Sequence, residues 1–248
     1  MSRTIAFQLY TLRQFEDGWE AAFEFLKKHG IDTIEMWGGA VPSGNNQAMQ
    51  FTEIEEILER QQMKLACGHL TPGDFDQRYE VCVQLLKKFG STTWVIPFVP
   101  AQTFEEWLGW LPKFRAMSER LADDGLQLGY HNHHMELVYH EGKTVMEHLL
   151  DNLPELQAQL HIGQFLPERN VSLPKLLKRY EGRVCALHVN DATSRGYSPL
   201  GKGDCQAELA VKTALDTGVD TFIIEINLTR ETRDQVSRDI ETLKGWLS

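Results

Sequence analysis

Short, strongly apolar segments alternate along this chain with longer ones whose apolar residues recur at helical spacing. The short segments are TIAFQLY (4–10), IDTIEMW (31–37), KLACGHL (64–70), TTWVIPFV (92–99), LQLGYH (126–131), LQAQLHI (156–162), RVCALHVN (183–190) and DTFIIEIN (220–227). Several are nearly unbroken apolar runs, the pattern of parallel strands covered on both faces. Between them, WEAAFEFLKKHG, QRYEVCVQLLKKFG and AELAVKTALDTG carry apolar residues on one side of a helix and polar ones on the other. Gly30, Gly90, Gly125, Gly182 and Gly218 each stand between a helical pattern and the next strand, where glycine ends a helix without a Cβ clash. Thr52, Asp74, Thr103, Ser172 and Thr232 are candidate N-caps.

Eight strand–helix units at intervals of roughly 30 residues predict an α/β fold, a closed (β/α)8 TIM barrel occupying residues 1–248 as one domain. An open doubly wound sheet fits less well, because no GxGxxG turn follows the first strand. In such a barrel the chemistry lies where the strands end. The residues there are Gln8, Glu35, His69, Pro97, His131 with His133, His161, His188 with Asn190, and Glu225 with Asn227. His29, His140 and His148 fall in helices or loops and are expected to be solvated.

Any one of these histidines or acids has an ordinary reading as a hydrogen-bonded structural residue. Polar groups buried together at strand ends cost free energy unless they are paired or coordinated, so their convergence on one rim points to a functional pocket. Imidazole with carboxylate suits a divalent first-row metal: zinc or manganese foremost, with cobalt and nickel also acceptable. Such an ion polarises a carbonyl and hydroxyl pair, the chemistry of isomerases, epimerases and dehydratases of polyols and keto sugars.

A net charge of −10 opposes the nucleic-acid backbone, so no nucleic-acid partner is expected. With 42% hydrophobic and 24% charged residues the chain can build a sizeable core. The four cysteines form no CxxC pair, and neither a signal-peptide pattern nor a membrane-length apolar run is present. A cytoplasmic protein with no membrane partner is the expectation.

IAFQLYTLR at the first strand, the YHNHHME segment, LHVNDA followed by PLGKGD, and FIIEIN at the last strand resemble the sugar phosphate isomerase/epimerase-like proteins of the xylose-isomerase-like barrel superfamily. That superfamily includes inosose dehydratase, ketose 3-epimerases and apurinic endonucleases, and the resemblance covers essentially the whole chain. It implies a divalent ion held by Glu, Asp, His and Glu after strands five to eight. His188 and Glu225 match the last two; His131 stands where the family often has Glu, as in a YHNH-type branch, and His161 where it often has Asp. The implied ligands are therefore His131, His161, His188 and Glu225, with His131 and Glu225 as the proton-transfer pair. Three imidazoles and one carboxylate favour a transition metal over magnesium.

The resemblance also assigns substrate contacts to Glu35, His69, His133, Glu136 and Asn190, while His134 is structural. The loop SPLGKGD (198–204) is expected either to fold over the ligand or to lead into an Asp204 N-cap. EEWLGWLP (105–112) reads as a subunit contact or an outer helix, which leaves homo-oligomerisation open. The substrate expected is a small sugar, keto sugar or polyol. Two other readings compete: a barrel that has lost its metal and serves as a carbohydrate-binding or accessory subunit, and an apurinic-site nuclease, which the acidity disfavours.

Overall fold

A computed structural model describes residues 3–12, 15, 17–37, 51–226 and 233–248. Eight strands form the frame: β1 (Thr4–Gln8), β2 (Thr33–Trp37), β3 (Lys64–His69), β4 (Thr93–Ile96), β5 (Gln127–His131), β6 (Gln157–His161), β7 (Val184–Val189) and β8 (Thr221–Ile224). They pair in the order β1-β8-β7-β6-β5-β4-β3-β2, and β2 closes on β1. All eight pairings are parallel, with helices in the connections, so the predicted (β/α)8 barrel is the fold.

The strands are shorter than the apolar runs that mark them. TIAFQLY stops being a strand at Gln8, and Leu9–Leu12 turns helical while keeping Leu9 and Leu12 buried. Five helix-ending glycines do take the left-handed region, with φ from +72° at Gly30 to +84° at Gly90. The caps are less regular. Thr103 caps its helix as expected, but the fourth expected position, Ser172, makes no side-chain cap bond. Asp74 is not a cap: Thr71 is, and Asp74 returns the bond from the third helical position, a capping box that the sequence TPGD conceals behind its proline. The helix expected to start at Thr52 begins at Phe51, and Thr232 lies outside the described residues.

Inside the barrel the lower layer is built from apolar residues, Ala6, Cys67, Val95, Ala186 and Ile223. Outside it, Phe7, Ile34, Trp94, Tyr130 and Phe222 pack between strands and helices with no exposure. His140 and His148 are half-buried rather than fully solvated: their rings flank Phe104 at 4.5 and 4.7 Å. Trp107 of EEWLGWLP is buried in an outer helix, Phe104–Gly109. Among the described residues no helix is long and apolar enough to cross a membrane.

The 198–204 loop does not lead into an Asp204 N-cap. The helix Ala207–Asp216 starts after Gln206 rather than Asp204. The loop is tied down by Asp191, a buried carboxylate that accepts the backbone N–H groups of Ala192, Gly201, Gly203 and Cys205 at 3.0–3.3 Å. A Cβ on Gly203 would collide with that carboxylate and stand 2.7 Å from the Ala192 nitrogen. Gly203→Ala is therefore expected to cost about 2–3 kcal/mol, lowering Tm by roughly 4–12 °C. An unchanged melting curve would show that Asp191 does not hold this loop.

Candidate active site

Strand register assembles the site from residues that sequence keeps far apart. Gln8 lies beside Glu35, His131 beside Gln159, and His161 beside His188. Because residues alternate between faces of a strand, Gln159 and His161 both point inward, two residues apart. Five imidazoles, His69, His131, His133, His161 and His188, crowd this interior with neighbouring ring centroids 4.5–5.6 Å apart.

Glu35 has no exposure. Its carboxylate accepts from Cys67 Sγ at 2.9 Å, from Gln159 Nε2 at 2.5 Å and from Gln8 Nε2, and lies 2.7 Å from His188 Nε2. Burial opposes its charge, but the His188 and His69 rings and the hydrogen bonds hold its carboxyl at about 2. Glu225 sits above, with Oε2 2.6 Å from His188 Nδ1 and 3.4 Å from His161 Nδ1. It too is held well below the usual carboxylate range despite burial, by the His188 bond and the His161 ring.

His188 is thus clamped between two carboxylates. Burial disfavours a charged ring there, yet Glu35 and Glu225 raise it to about 10, making it an imidazolium. Its contact with Glu35 is poorly aligned for a hydrogen bond and acts as an ion pair. The other rings go the opposite way. Burial pushes His161 down to about 3, although Glu225 pulls against it, and burial with the neighbouring rings pushes His131 far below its ordinary value. Burial also lowers His69 and His133. One charged ring therefore stands among four neutral ones.

Above this cluster opens a cavity of about 300 Å³, the size of a small-molecule site. Eight of the residues singled out at the strand ends line it: Gln8, His69, Pro97, His131, His133, His161, Asn190 and Glu225. The four proposed ligands, His131, His161, His188 and Glu225, bring donor atoms within 4.8 Å of one another. Three imidazole nitrogens and a carboxylate oxygen suit a borderline transition ion and lack the oxygen shell that magnesium prefers.

Two expected substrate contacts are placed elsewhere. Glu35 lies beneath the cavity with its oxygens taken, and Glu136 is buried behind it, accepting from Tyr130 Oη and the His133 backbone N–H, both at 2.9 Å. Glu136 thus braces the turn that carries His133, and burial raises its carboxyl. His134 is exposed. Asn227 lies outside the described residues. The sequence reading missed Tyr10, Trp37, Phe98 and Gln164 in the cavity wall, and Gln159 below it. Only Gln159 left a signal, as a polar residue at the inward phase of the apolar strand LQAQLHI.

No protein-family model matches the sequence, and no curated protein is similar to it. Solved structures are. A sugar phosphate isomerase/epimerase from Parabacteroides distasonis superposes with a TM-score of 0.79 at 17% identity, covering 98% of this chain and 96% of that one. A probable 3-DHS dehydratase involved in petrobactin synthesis from Bacillus anthracis gives 0.72 at 13%, covering 97% and 98%. A xylose isomerase-like TIM barrel protein from Mycobacterium smegmatis, in complex with magnesium, gives 0.69 at 13%, covering 100% and 97%. The fold is that of the xylose isomerase-like TIM barrels. At these identities the likeness is one of fold, and the chemistry of this barrel depends on its own residues.

The charge pattern fixes a pH response for protein stripped of metal with a chelator. His188, raised from 6.5 to about 10, stabilises the fold fully below pH 6.5 and loses that contribution as pH rises through 10. His161, lowered from 6.5 to about 3, contributes above pH 6.5 and loses it as pH falls through 3. Denaturant midpoints should therefore peak near neutrality, and His188→Gln should flatten the alkaline limb. The same alkaline slope in both proteins would show that His188 is not charged in the fold.

Proposed function

We propose that this barrel is a metal-dependent isomerase, epimerase or dehydratase acting on a small sugar, keto sugar or polyol. The observation that carries the reading is the convergence of His131, His161, His188 and Glu225 at the floor of a cavity on the strand-end rim. These four would hold a divalent transition ion, with zinc or manganese preferred, and His188 would release its Nδ1 proton on binding it. The ion, when bound, supplies Lewis acidity toward a carbonyl and hydroxyl pair. Fold neighbours described as a sugar phosphate isomerase/epimerase, a D-tagatose 3-epimerase-like protein and a dehydratase support that reaction class.

The chain's own groups do the rest. Glu225, kept ionised, and His131, kept neutral, are the proposed proton-transfer pair, since each is in the form that accepts a proton at neutral pH. His69, His133 and Asn190 offer polar atoms to hydroxyl groups, as does Gln164. Trp37 and Phe98 present apolar surface to the C–H face of a sugar ring, and with Pro97 exclude water from one side. Glu35 steadies His188 from beneath, the carboxylate–histidine arrangement that tunes a metal ligand. The four free cysteines accord with the reducing, cytoplasmic setting proposed here.

A second reading has its own support. The His188 imidazolium already balances Glu35 and Glu225, so the interior is electrostatically closed without an ion. That is what a metal-free binding or accessory barrel would need. Metal analysis separates the two. The chelated protein should take up about one equivalent of zinc, manganese, cobalt or nickel, and magnesium far more weakly. His188→Ala should lower affinity by more than roughly 100-fold, since losing an outer partner alone costs about 10–100-fold. Loaded protein in deuterated water should then exchange a carbon-bound hydrogen of a keto sugar or inositol. Uptake of none of the four ions supports the accessory barrel, and tight loading without exchange on any candidate overturns the proposed reaction.

A further inference from the structure

Gln159 has no exposure and sits in β6 directly beside His131. Its amide uses every hydrogen-bonding capacity it has. Nε2 donates to Glu35 Oε1 at 2.5 Å and to Cys67 Sγ at 3.3 Å. Oε1 faces His69 Nε2 at 2.6 Å and His131 Nδ1 at 2.8 Å. An ionised carboxylate only accepts, so the amide nitrogen has to face Glu35. The reverse orientation would set the amide oxygen against the carboxylate in a buried, low-dielectric place. With the nitrogen committed, the oxygen can only accept from the two rings.

We propose that Gln159 is a positioning residue that sets the tautomers of His131 and His69, placing the proton on Nδ1 of His131 and on Nε2 of His69. Both rings then donate to one oxygen. His131 is left with a bare Nε2, 3.2 Å from His161 Nδ1, at the centre of the proposed ligand cluster. The other side of each ring agrees. Gln8 accepts the Tyr10 backbone N–H at its Oε1, which turns its Nε2 to donate to the bare Nδ1 of His69 at 3.2 Å. Asn190 accepts the Gly163 N–H at 2.7 Å, so its Nδ2 donates to His161 Nε2 at 2.8 Å. His161 therefore carries its proton on Nδ1 and points it at the bare nitrogen of His131. Three amides, each fixed by a neighbour that can bond in one sense only, give a single consistent proton pattern.

The consequence reaches the chemistry through His131. A ring nitrogen binds an ion or accepts a proton only through a free lone pair, and its tautomer is set by the hydrogen bond at the other nitrogen. Glu35, which touches no part of the cavity, thus acts on the rim by turning the Gln159 amide.

The test reads ring nitrogens directly, in chelated protein labelled with 15N-histidine near neutral pH, with each signal assigned from a single histidine variant. The expected result is opposite tautomers on the two rings: Nδ1–H with bare Nε2 for His131, and Nε2–H with bare Nδ1 for His69. In Gln159→Leu the His131 proton should move toward Nε2, and in Glu35→Gln, where the amide is free to flip, both rings should become mixtures. A proton on Nε2 of His131 or on Nδ1 of His69 in the unaltered protein overturns the proposal, as does an unchanged His131 tautomer in folded Gln159→Leu. If that variant fails to fold, the unaltered spectrum alone decides. Neither metal nor substrate enters the measurement, so its outcome is independent of whether the barrel proves to be an enzyme.

Discussion

A carboxylate with no access to water lies near the middle of this barrel, and most of the interior follows from having to accommodate it. An isolated ionised acid in such a place is strongly unfavourable unless it is paired and fully hydrogen-bonded. Glu35 meets both conditions through five side chains from four different strands: Gln8, Cys67, His69, Gln159 and His188. Each of those partners is itself polar and buried, and each needs partners in turn. The polar layer therefore spreads upward until it reaches the rim, where Glu225, His161 and Asn190 meet the cavity.

The same constraint assigns charge. One positive ring, His188, lies between two acids, and the remaining imidazoles are kept neutral by burial and by that positive neighbour. A site that must offer lone pairs to an ion, or accept a proton from carbon, needs neutral imidazoles and an ionised carboxylate. His131, His161 and Glu225 are in those forms at neutral pH, whereas His188 has to lose a proton before it can bind an ion. Rigidity comes from below and behind: packed apolar residues fill the lower barrel, and Glu136 and Asp191 each tie a rim segment to the frame through backbone N–H groups.

The ends of strands five and six carry imidazoles, His131 and His161, which leaves Glu225 as the one carboxylate lining the cavity. Fewer acids at the rim leave less negative charge to hold a cation, while Glu35 and His188 below it carry the balance. Solved barrels with the same frame are described as isomerases, epimerases and a dehydratase at identities of 9–17%. That spread fits a frame whose strand ends can be rewritten freely, so the donor set of this chain carries more weight than the names of its neighbours.

The sequence alone determined the frame. Unbroken apolar runs spaced by amphipathic helices and terminated by glycines leave one closed parallel barrel as the arrangement that buries every face, and strand phase then sends His69, His131, His161, His188 and Glu225 to one end. What the sequence did not determine is which polar residues face the cavity and which face one another. Glu35 and Glu136 carry the same rim signature as Glu225, yet only Glu225 lines the cavity, because depth along a strand and the packing of the following turn are set by neighbours far away in the chain. Gln159 showed in the sequence only as a polar residue at an inward phase; its role was hidden for the same reason, since its partners lie 28, 90, 92 and 124 residues away and become adjacent only through strand register. Hydrophobic periodicity is local and survives in the sequence; hydrogen-bond partnership across a barrel is not, and the tertiary structure alone decides it.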